Sequence, residues 1–391
     1  MSLSAKRELL AQIHGRYQRA GRPHKSRILE EFCATCGYHP KAALRLLNRP
    51  LRTAPPKRSG PKIIYDPAEV LPVLKALWLA SDQPCSKLLK AALPEWLAHH
   101  QRRCAPLPEA LKKKLLQISP AQIDRLLRPA RVQHPKKGLS ATRPGTLLRH
   151  QVPTRGGPPD TRRPGSVQAD TVAHCDQSTH GDYVHSITFT ELFSGWTENR
   201  AVWNKSADAV LAQLKELEHA VPFTMTDFHT DNGGEFLNWA LHRHLTGRSL
   251  KMPWTRSRAH RKNDNAHCEQ KNWTHVRQLF GHERFGHPEL VPLMNQLYAQ
   301  EWSQFTNHFK PTFKLLKREK HGSKTKRIYE RKPQTPYQRL LASADIPEAA
   351  KARLQTDHQG LDPFALKKNI EAKLKRFFTA LSNMNRESTK T

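Results

Sequence analysis

Three acidic residues stand where they could act together. Asp170 lies in a run of β-branched and apolar residues (SVQADTVAH), Asp231 near the end of a second (DFHTDNGGEF), and Glu269 in a helical stretch (KNDNAHCEQKNW). They are 61 and 38 residues apart. Magnesium prefers oxygen ligands and keeps several waters, so a few carboxylates make a site for it. Two such ions about 4 Å apart can activate a nucleophile and stabilise the leaving oxygen of a phosphodiester. A single Asp in a strand is more often structural; the setting is what raises these three. Asn232, Gly233 and Gly234 follow Asp231, and the glycines relax a turn and let another backbone approach. On the helix, Lys262, Asn265 or Ala266, and Glu269 share a face, which Trp273, Val276 and Phe280 continue as core. Arg256, Arg258, Arg261 and Lys262 form a basic cluster suited to phosphates.

Carboxylates from two strands and a helix converge only if a fold brings them there. Ser166–Cys175, Asp182–Leu192 and Gly195–Asn204 read as three strands, the first pairs as hairpins. A helix over Ala207–Ala220, a strand over Pro222–Asp231, a helix over Glu235–Leu245, a strand over Ser249–Thr255 and a long helix over Asn263–Phe280 follow. This order is a mixed α/β layout with five strands. Leu290–Phe309 reads as a further helix, and two more close the chain, the second opened by Asp362-Pro363. Upstream, residues 1–50 read as helix, Gly turn, helix, the helix-turn-helix pattern, with Lys41, Arg45 and Arg49 on the last helix. Residues 51–66 read as a basic, proline-rich linker. Residues 67–132 read as a second helical block of helix-turn-helix type, with Arg125 and Arg128 facing outward from a helix capped by Ser119 and Pro120. Residues 133–163 read as an extended basic linker able to track a DNA backbone.

The Thr-Asp-Asn-Gly-Gly-Glu-Phe stretch and the Lys-Asn-Asp-Asn…Glu-Gln-Lys-Asn stretch resemble the catalytic core of retroviral integrases and the related insertion-sequence transposases of bacteria. The resemblance is strongest from Gly165 to Arg284. It implies a ribonuclease H-like core over residues 164–309, preceded by all-α helix-turn-helix domains and followed by a basic, partly helical DNA-contacting region over 310–391. It implies that Asp170 and Asp231 bind or bridge two magnesium ions (manganese as substitute) and that Glu269 completes the ligand shell of the second ion, with Asn232 and Asn265 supporting these ligands from behind. The expected activity is cleavage at transposon ends followed by strand transfer into target DNA, by a homo-oligomer on double-stranded DNA, with no membrane partner. The expected location is the cytoplasm and nucleoid of a bacterium. Two alternatives stand beside it: a DNA-binding regulator descended from a transposase, and a ribonuclease H-like nuclease that cuts without joining.

The charge agrees with such a partner. In 391 residues, Lys and Arg number 65 against 34 Asp and Glu, a net charge of +31. A field of that sign draws polyanions and says nothing of fold. No stretch approaches the ~18 apolar residues of a membrane span. Six scattered cysteines do not form a disulfide framework. Cys33 and Cys36, with His24 and His39, are either a zinc site or buried thiols of a small helical core. His229 is either a neighbour of the metal shell or a satisfied polar residue. Asp227 and Glu235 read as structural, and His174 with Cys175 shows no oriented base for nucleophilic catalysis. The basic run from Lys310 to Lys332 is either a DNA contact or a solvated segment.

Overall fold

The computed structural model describes residues 1–51, 64–104, 106–133, 161–247, 252–258, 265–321 and 324–388. The expected linkers over 51–66 and 133–163 fall largely outside these residues, as do Arg261 and Lys262. The chain divides into two compact units, Met1–Ile64 and Tyr65–Thr391.

The first unit is three helices: α1 (Leu3–Arg19), α2 (Arg22–Cys36) and α3 (Pro40–Asn48). Ser2 caps α1 by accepting from the Ala5 N–H, and His39 caps α3 by accepting from the Lys41 N–H. Prolines in the first turns of α2 and α3 cost no helical hydrogen bond there. Tyr17, Ile28, Phe32, Cys36, Ala43 and Leu47 form its core. Cys36 is one of the core's apolar groups, Cys33 is half-buried, and His24 and His39 are exposed. Lys41, Arg45 and Arg49 lie exposed along and just beyond α3.

The second unit opens with α4 (Pro67–Ala80), α5 (Ser86–Arg103), α6 (Glu109–Gln117) and α7 (Pro120–Gln133). A mixed sheet follows, with β1 (Ser166–Ala173), β2 (Val184–Glu191), β3 (Thr197–Trp203), β4 (Asp227–Thr230) and β5 (Trp254–Arg256) in the order β3-β2-β1-β4-β5. β1, β2 and β3 are antiparallel neighbours, whereas β4 and β5 run parallel to β1. α8 (Ala207–Ala220) crosses from β3 to β4, and α9 (Trp239–Thr246) from β4 to β5. The expected long helix is α10 (Ala266–Lys271), a π-helical stretch over Asn272–Arg277, and α11 (Gln278–Phe280). The next expected helix is likewise α12 (Leu290–Leu297), a π-helical stretch over Tyr298–Trp302, and α13 (Ser303–Phe309). Beyond it come a hairpin of β6 (Leu315–His321) and β7 (Lys324–Tyr329), then α14 (Pro336–Ala342), α15 (Glu348–Gln359) and α16 (Pro363–Ser388).

Period-two alternation sends the two faces of the sheet into different cores. Val167, Ala169, Ile187 and Phe189 pack with Val210, Leu214 and Leu217 of α8, Leu241 and Leu245 of α9, and Leu340 of α14. On the other side, Val184 and Ala201 join a core that also holds Phe280, Leu297, Trp302, Phe305, Phe309 and Phe377. Leu74, Leu89, Leu93, Trp96, Leu115, Ile123 and Leu127 of α4–α7 belong to that same core. Trp96 is fully buried, and its indole N–H reaches the Phe309 carbonyl at 3.3 Å. The helices expected as a second, separate reading domain are thus part of the α/β unit. Their apolar faces pack on one another, and α4 and α5 also on α16, with Trp96 of α5 meeting Phe305 of α13, while Arg125 and Arg128 are left exposed.

One glycine sets the strand pair that matters most. At Gly165, just before β1, a side chain would come within 2.7 Å of the Thr224 carbonyl, and φ is +118°. The Gly165 carbonyl accepts from the Thr226 N–H at 2.9 Å, which starts the parallel pairing of β1 with β4.

Candidate active site

The parallel register pairs Ser166 with Asp227 and continues through Ala169 with Thr230. One residue further brings Asp170 beside Asp231. Asp170 and its cross-strand partner Thr188 fall on the face that α10 covers. The Asp170 carboxylate is held at both oxygens: the Thr171 N–H donates to Oδ1 at 2.9 Å and the Asn272 side-chain amide to Oδ2 at 2.7 Å. Asp231 Oδ1 accepts from the Gly233 N–H at 2.9 Å.

These bonds do not offset the burial. Burial, then the charge of Asp231, pushes the Asp170 pKa well above the ordinary carboxylate range. Burial, then the charge of Glu235, raises Asp231. Among the described residues no lysine or arginine forms an ion pair with either aspartate. Two half-buried acids that repel each other, with Lys205 paired to the adjoining Glu235 and not to either of them, favour a bound cation.

Glu235 is the third acid of the place. It is buried, with Oε1 accepting from the Thr171 hydroxyl at 2.6 Å and Oε2 lying 3.5 Å from the Lys205 ammonium. Its carboxyl folds over Gly233, where any side chain would meet it at 2.6 Å. The sequence reading took Glu235 as structural. Its spacing, four residues after Asp231 across a glycine pair, was the signal that could have placed it near the aspartates. Asn272 was missed as well. It stands at the first π-helical position, three residues after Glu269, and an inserted residue of this kind recurs at functional sites.

Glu269 itself is exposed on α10. The helix lies against the right strands: the Asn265 amide donates to the Ala169 carbonyl at 3.5 Å, and the Cys268 thiol to the Gln168 carbonyl at 3.1 Å. Asn265, Cys268 and Asn272 thus face β1 and β2, and Glu269 stands at the edge of that face. Among the described residues no three His, Cys, Asp or Glu side chains are grouped so as to hold a metal ion by themselves. The pair Asp170 and Asp231 still suits magnesium, which is commonly held by one or two carboxylates together with water and substrate phosphates.

The remaining candidates sort by what they touch. Asn232 ties the ends of β4 and β5, donating to the Ser257 carbonyl at 2.9 Å and accepting from Arg256 at 2.9 Å. Arg256 is therefore fixed one residue beyond Asp231, and Arg258 is exposed. His229 is buried with Thr255 Oγ1 at 2.9 Å and Ser257 Oγ at 3.2 Å from its two ring nitrogens, the satisfied polar arrangement. Asp227 accepts from the Ser166 hydroxyl at the opposite end of β4. His174 is buried, stacked on Phe285, with its Nε2 bonded to the Ser186 hydroxyl, which also meets the Tyr298 hydroxyl.

The mixed sheet, with one aspartate inside β1 and another just past the end of the neighbouring parallel strand β4, defines an α/β protein carrying a half-buried acidic pair. Comparison places it further. The chain belongs to the same family as the uncharacterized protein y4rM of Sinorhizobium fredii (strain NBRC 101917 / NGR234), to which it is 36% identical over 341 residues, 84% of this chain and 93% of the relative. No family model matches. One solved structure, a simian T-cell lymphotropic virus intasome in complex with PP2A regulatory subunit B56 gamma, aligns at 14% identity over 57% of this chain and 70% of that chain. Its TM-score of 0.29 carries no argument. No described helix is long and apolar enough to cross a membrane.

Proposed function

We propose that this chain is a transposase with a ribonuclease H-like core, cutting DNA at element ends and joining the freed 3′ ends to target DNA. The observation that carries the reading is the juxtaposition of Asp170 and Asp231, set by the parallel register of β1 and β4, within motifs that resemble those of integrases. The strand order β3-β2-β1-β4-β5, with only β4 and β5 parallel to β1, supports it.

In this reading Asp170 and Asp231 hold the magnesium ions, two per site, and Glu269 completes the set from α10. When bound, the ions supply charge stabilisation to the leaving oxygen and lower the pKa of the attacking hydroxyl or water. Asn272 and the Thr171 N–H keep the Asp170 carboxylate aimed, so little reorganisation is left for the reaction. In cleavage, water oxygen bonds to phosphorus as the 3′ oxygen leaves and takes a proton. In joining, that 3′ hydroxyl attacks a target phosphodiester, losing its proton as the target's own 3′ oxygen leaves. Arg256, paired with Thr230 across β4 and β5 and bonded to Asn232 beside Asp231, would hold a flanking phosphate, with Arg258 two residues on. Lys41, Arg45 and Arg49 give the first unit a helix for groove contacts.

A regulator that binds DNA without cutting is the second reading, and the exposure of Glu269 favours it. One assay separates them. Duplexes carrying the inverted repeats that flank the gene are incubated with the protein and Mg²⁺, and the nicked and joined products are resolved by length. Cleavage should appear with Mg²⁺ or Mn²⁺, while Ca²⁺ should support binding alone. Binding without cleavage in every metal would leave the regulator; cleavage undiminished in EDTA would remove the metal mechanism.

A further inference from the structure

Glu235 has no place in the chemistry above, although it stands beside it. Strand alternation sends Thr171 to the face of the sheet opposite Asp170. There the Thr171 hydroxyl donates to Glu235 Oε1 at 2.6 Å, while the Thr171 N–H donates to Asp170 Oδ1 at 2.9 Å. The same Glu235 carboxyl lies over Gly233, where an added side chain would come within 2.6 Å of it, and the Gly233 N–H donates to Asp231 Oδ1 at 2.9 Å. One buried carboxylate thus meets the two residues that hold the two aspartates, and its charge is felt at both. Through its bond to Thr171 it sits on the side of β1 away from the Asp170 carboxylate, behind the pair. Accordingly, among the described residues no three acids are grouped to hold an ion by themselves.

Both ends of this link are anchored. Thr171 belongs to β1 and pairs with Ile187 of β2. Glu235 leads into Phe236 and Leu237, which are buried in the core that α8 and α9 form with the sheet. Their N–H groups both reach the Gly233 carbonyl, at 3.2 and 2.9 Å. The Asn238 side chain, which caps α9, donates to the Glu235 carbonyl at 2.6 Å. The counter-charge comes from Lys205, whose half-exposed ammonium lies 3.5 Å from Oε2. Lys205 is placed in turn by Asn204, left-handed at φ +50° with its N–H on the Tyr183 carbonyl, and by Ser206, which caps α8. Burying a carboxylate against one long ion pair and one hydroxyl costs more than an apolar side chain in its place would. What the carboxylate adds is a fixed length between β1 and the turn after β4.

We propose, on the reading of Asp170 and Asp231 as magnesium ligands, that Glu235 is a positioning residue: it sets the separation of the two aspartates and so makes the site selective for magnesium over larger divalent ions. Magnesium demands near-ideal octahedral geometry at about 2.0–2.1 Å, whereas calcium accepts irregular shells at about 2.3–2.6 Å. Two carboxylates free to drift apart would still suit calcium. Tied through Thr171 and Gly233 to one buried carboxylate, they keep a spacing that the larger ion does not fit as well. Lys205 keeps the spacer charged without entering the site.

The test measures metal binding by the full chain without DNA. Mn²⁺ is the probe, its unbound fraction read by electron paramagnetic resonance, and Mg²⁺ or Ca²⁺ is added to displace it. Thr171→Val removes the hydroxyl and keeps every charge and nearly the same volume. It should weaken Mg²⁺ about 10-fold, the low end of what partners of metal-holding groups contribute, and Ca²⁺ far less. Thr171→Ser restores the hydroxyl and should restore the parent ratio of the two affinities. In a Glu235→Ala background, Thr171→Val should add nothing further, because the two residues act as one link. Gly233→Ala displaces the Glu235 carboxyl without removing it and should lower the ratio as Thr171→Val does. It carries the test should the valine variant fail to fold, which unfolding in EDTA reports. Equal weakening of Mg²⁺ and Ca²⁺ overturns the proposal, since lost charge or lost fold acts on both ions alike. So do additive losses in the Glu235→Ala background. A parent protein that binds no Mn²⁺ sinks the metal reading itself, whereas a parent that binds it, with an unchanged ratio in the variants, sinks the spacer alone.

Discussion

Two acidic places on the same sheet, one buried and one half-buried, are built to opposite plans. At Glu198, burial raises the pKa, but the charged neighbour pulls it back: Arg200 lies 3.5 Å away, with Ser303 and the Trp196 indole donating at 2.6 and 2.9 Å. At Asp170, burial raises the pKa and the charged neighbours, Asp231 and Glu235, raise it further. The first place is neutralised by the chain. The second has a lysine, Lys205, only at its outer acid, Glu235, and in the proposed reading a bound cation completes it. A buried acid with its own arginine holds a fold together; one beside other acids is a strain carried for binding.

The sharpest way to break this contrast is to remove the charge from each place in turn. Asp170→Asn or Asp231→Asn should lower cleavage and joining by at least ~10³, the scale on which loss of a key electrostatic group acts, with duplex binding kept. Product yield against time checks it, and full activity in either variant removes that residue from the site. Glu198→Ala should do the reverse. It removes the buried one of Arg200's two carboxylate partners, Glu216 remaining at 2.9 Å, and leaves the Ser303 hydroxyl and Trp196 indole without their acceptor, so it should cost about 1–3 kcal/mol of stability by urea unfolding, with the rate per folded molecule unchanged. If Glu198→Ala lost chemistry while keeping its fold, the two places would not differ as argued.

A smaller effect is expected at Asn272. Partners of metal-holding carboxylates typically matter 10–100-fold in affinity or activity. Asn272→Ala should therefore shift the Mg²⁺ concentration needed for half-maximal cleavage by about that factor, with less change at saturating metal. Thermal stability should respond alongside: Mg²⁺ should raise the Tm of the parent by mass action and leave Asp170→Asn unmoved. Equal Tm gains in both proteins would place the metal elsewhere.

The smallest effect is on pH dependence. Asp170 is pushed up to about 8 and Asp231 to about 6, from 3.8. Between those limits the folded state holds more protons than the unfolded state, so this site's contribution to stability falls as pH rises from about 4 to about 8, then levels. In chelator, Asp170→Asn should gain on the parent protein across that window and converge with it near pH 4. A difference constant with pH would show that Asp170 is not raised in the fold.

The aspartates were legible because each sits in a strand run with its own signature, and the five strands and their order of types followed from the same runs. Asn272 was not, since its reach to Asp170 depends on a π-helical stretch that leaves no mark in a pattern read at ordinary helical period. The hairpin was hidden by its charge. Lys and Glu are depleted in strands, so KREKHGSKTKRIY read as a basic run. The α4–α7 block was legible as amphipathic helices, but an apolar stripe says only that a face is buried, not against what. Trp96 and Leu93 gave no hint that their partners were Phe305 and Phe309, two hundred residues on.

That shared core has a consequence for descent. A lineage that exchanges segments with other genes has a clean seam near Ile64, between the two compact units. It has none between α7 and β1, because a cut there would strip Trp96 and its neighbours from the aromatic cluster of α11–α13 and α16. Relatives should accordingly vary freely in what precedes Tyr65, while α4–α7 travel with the sheet as one inherited piece.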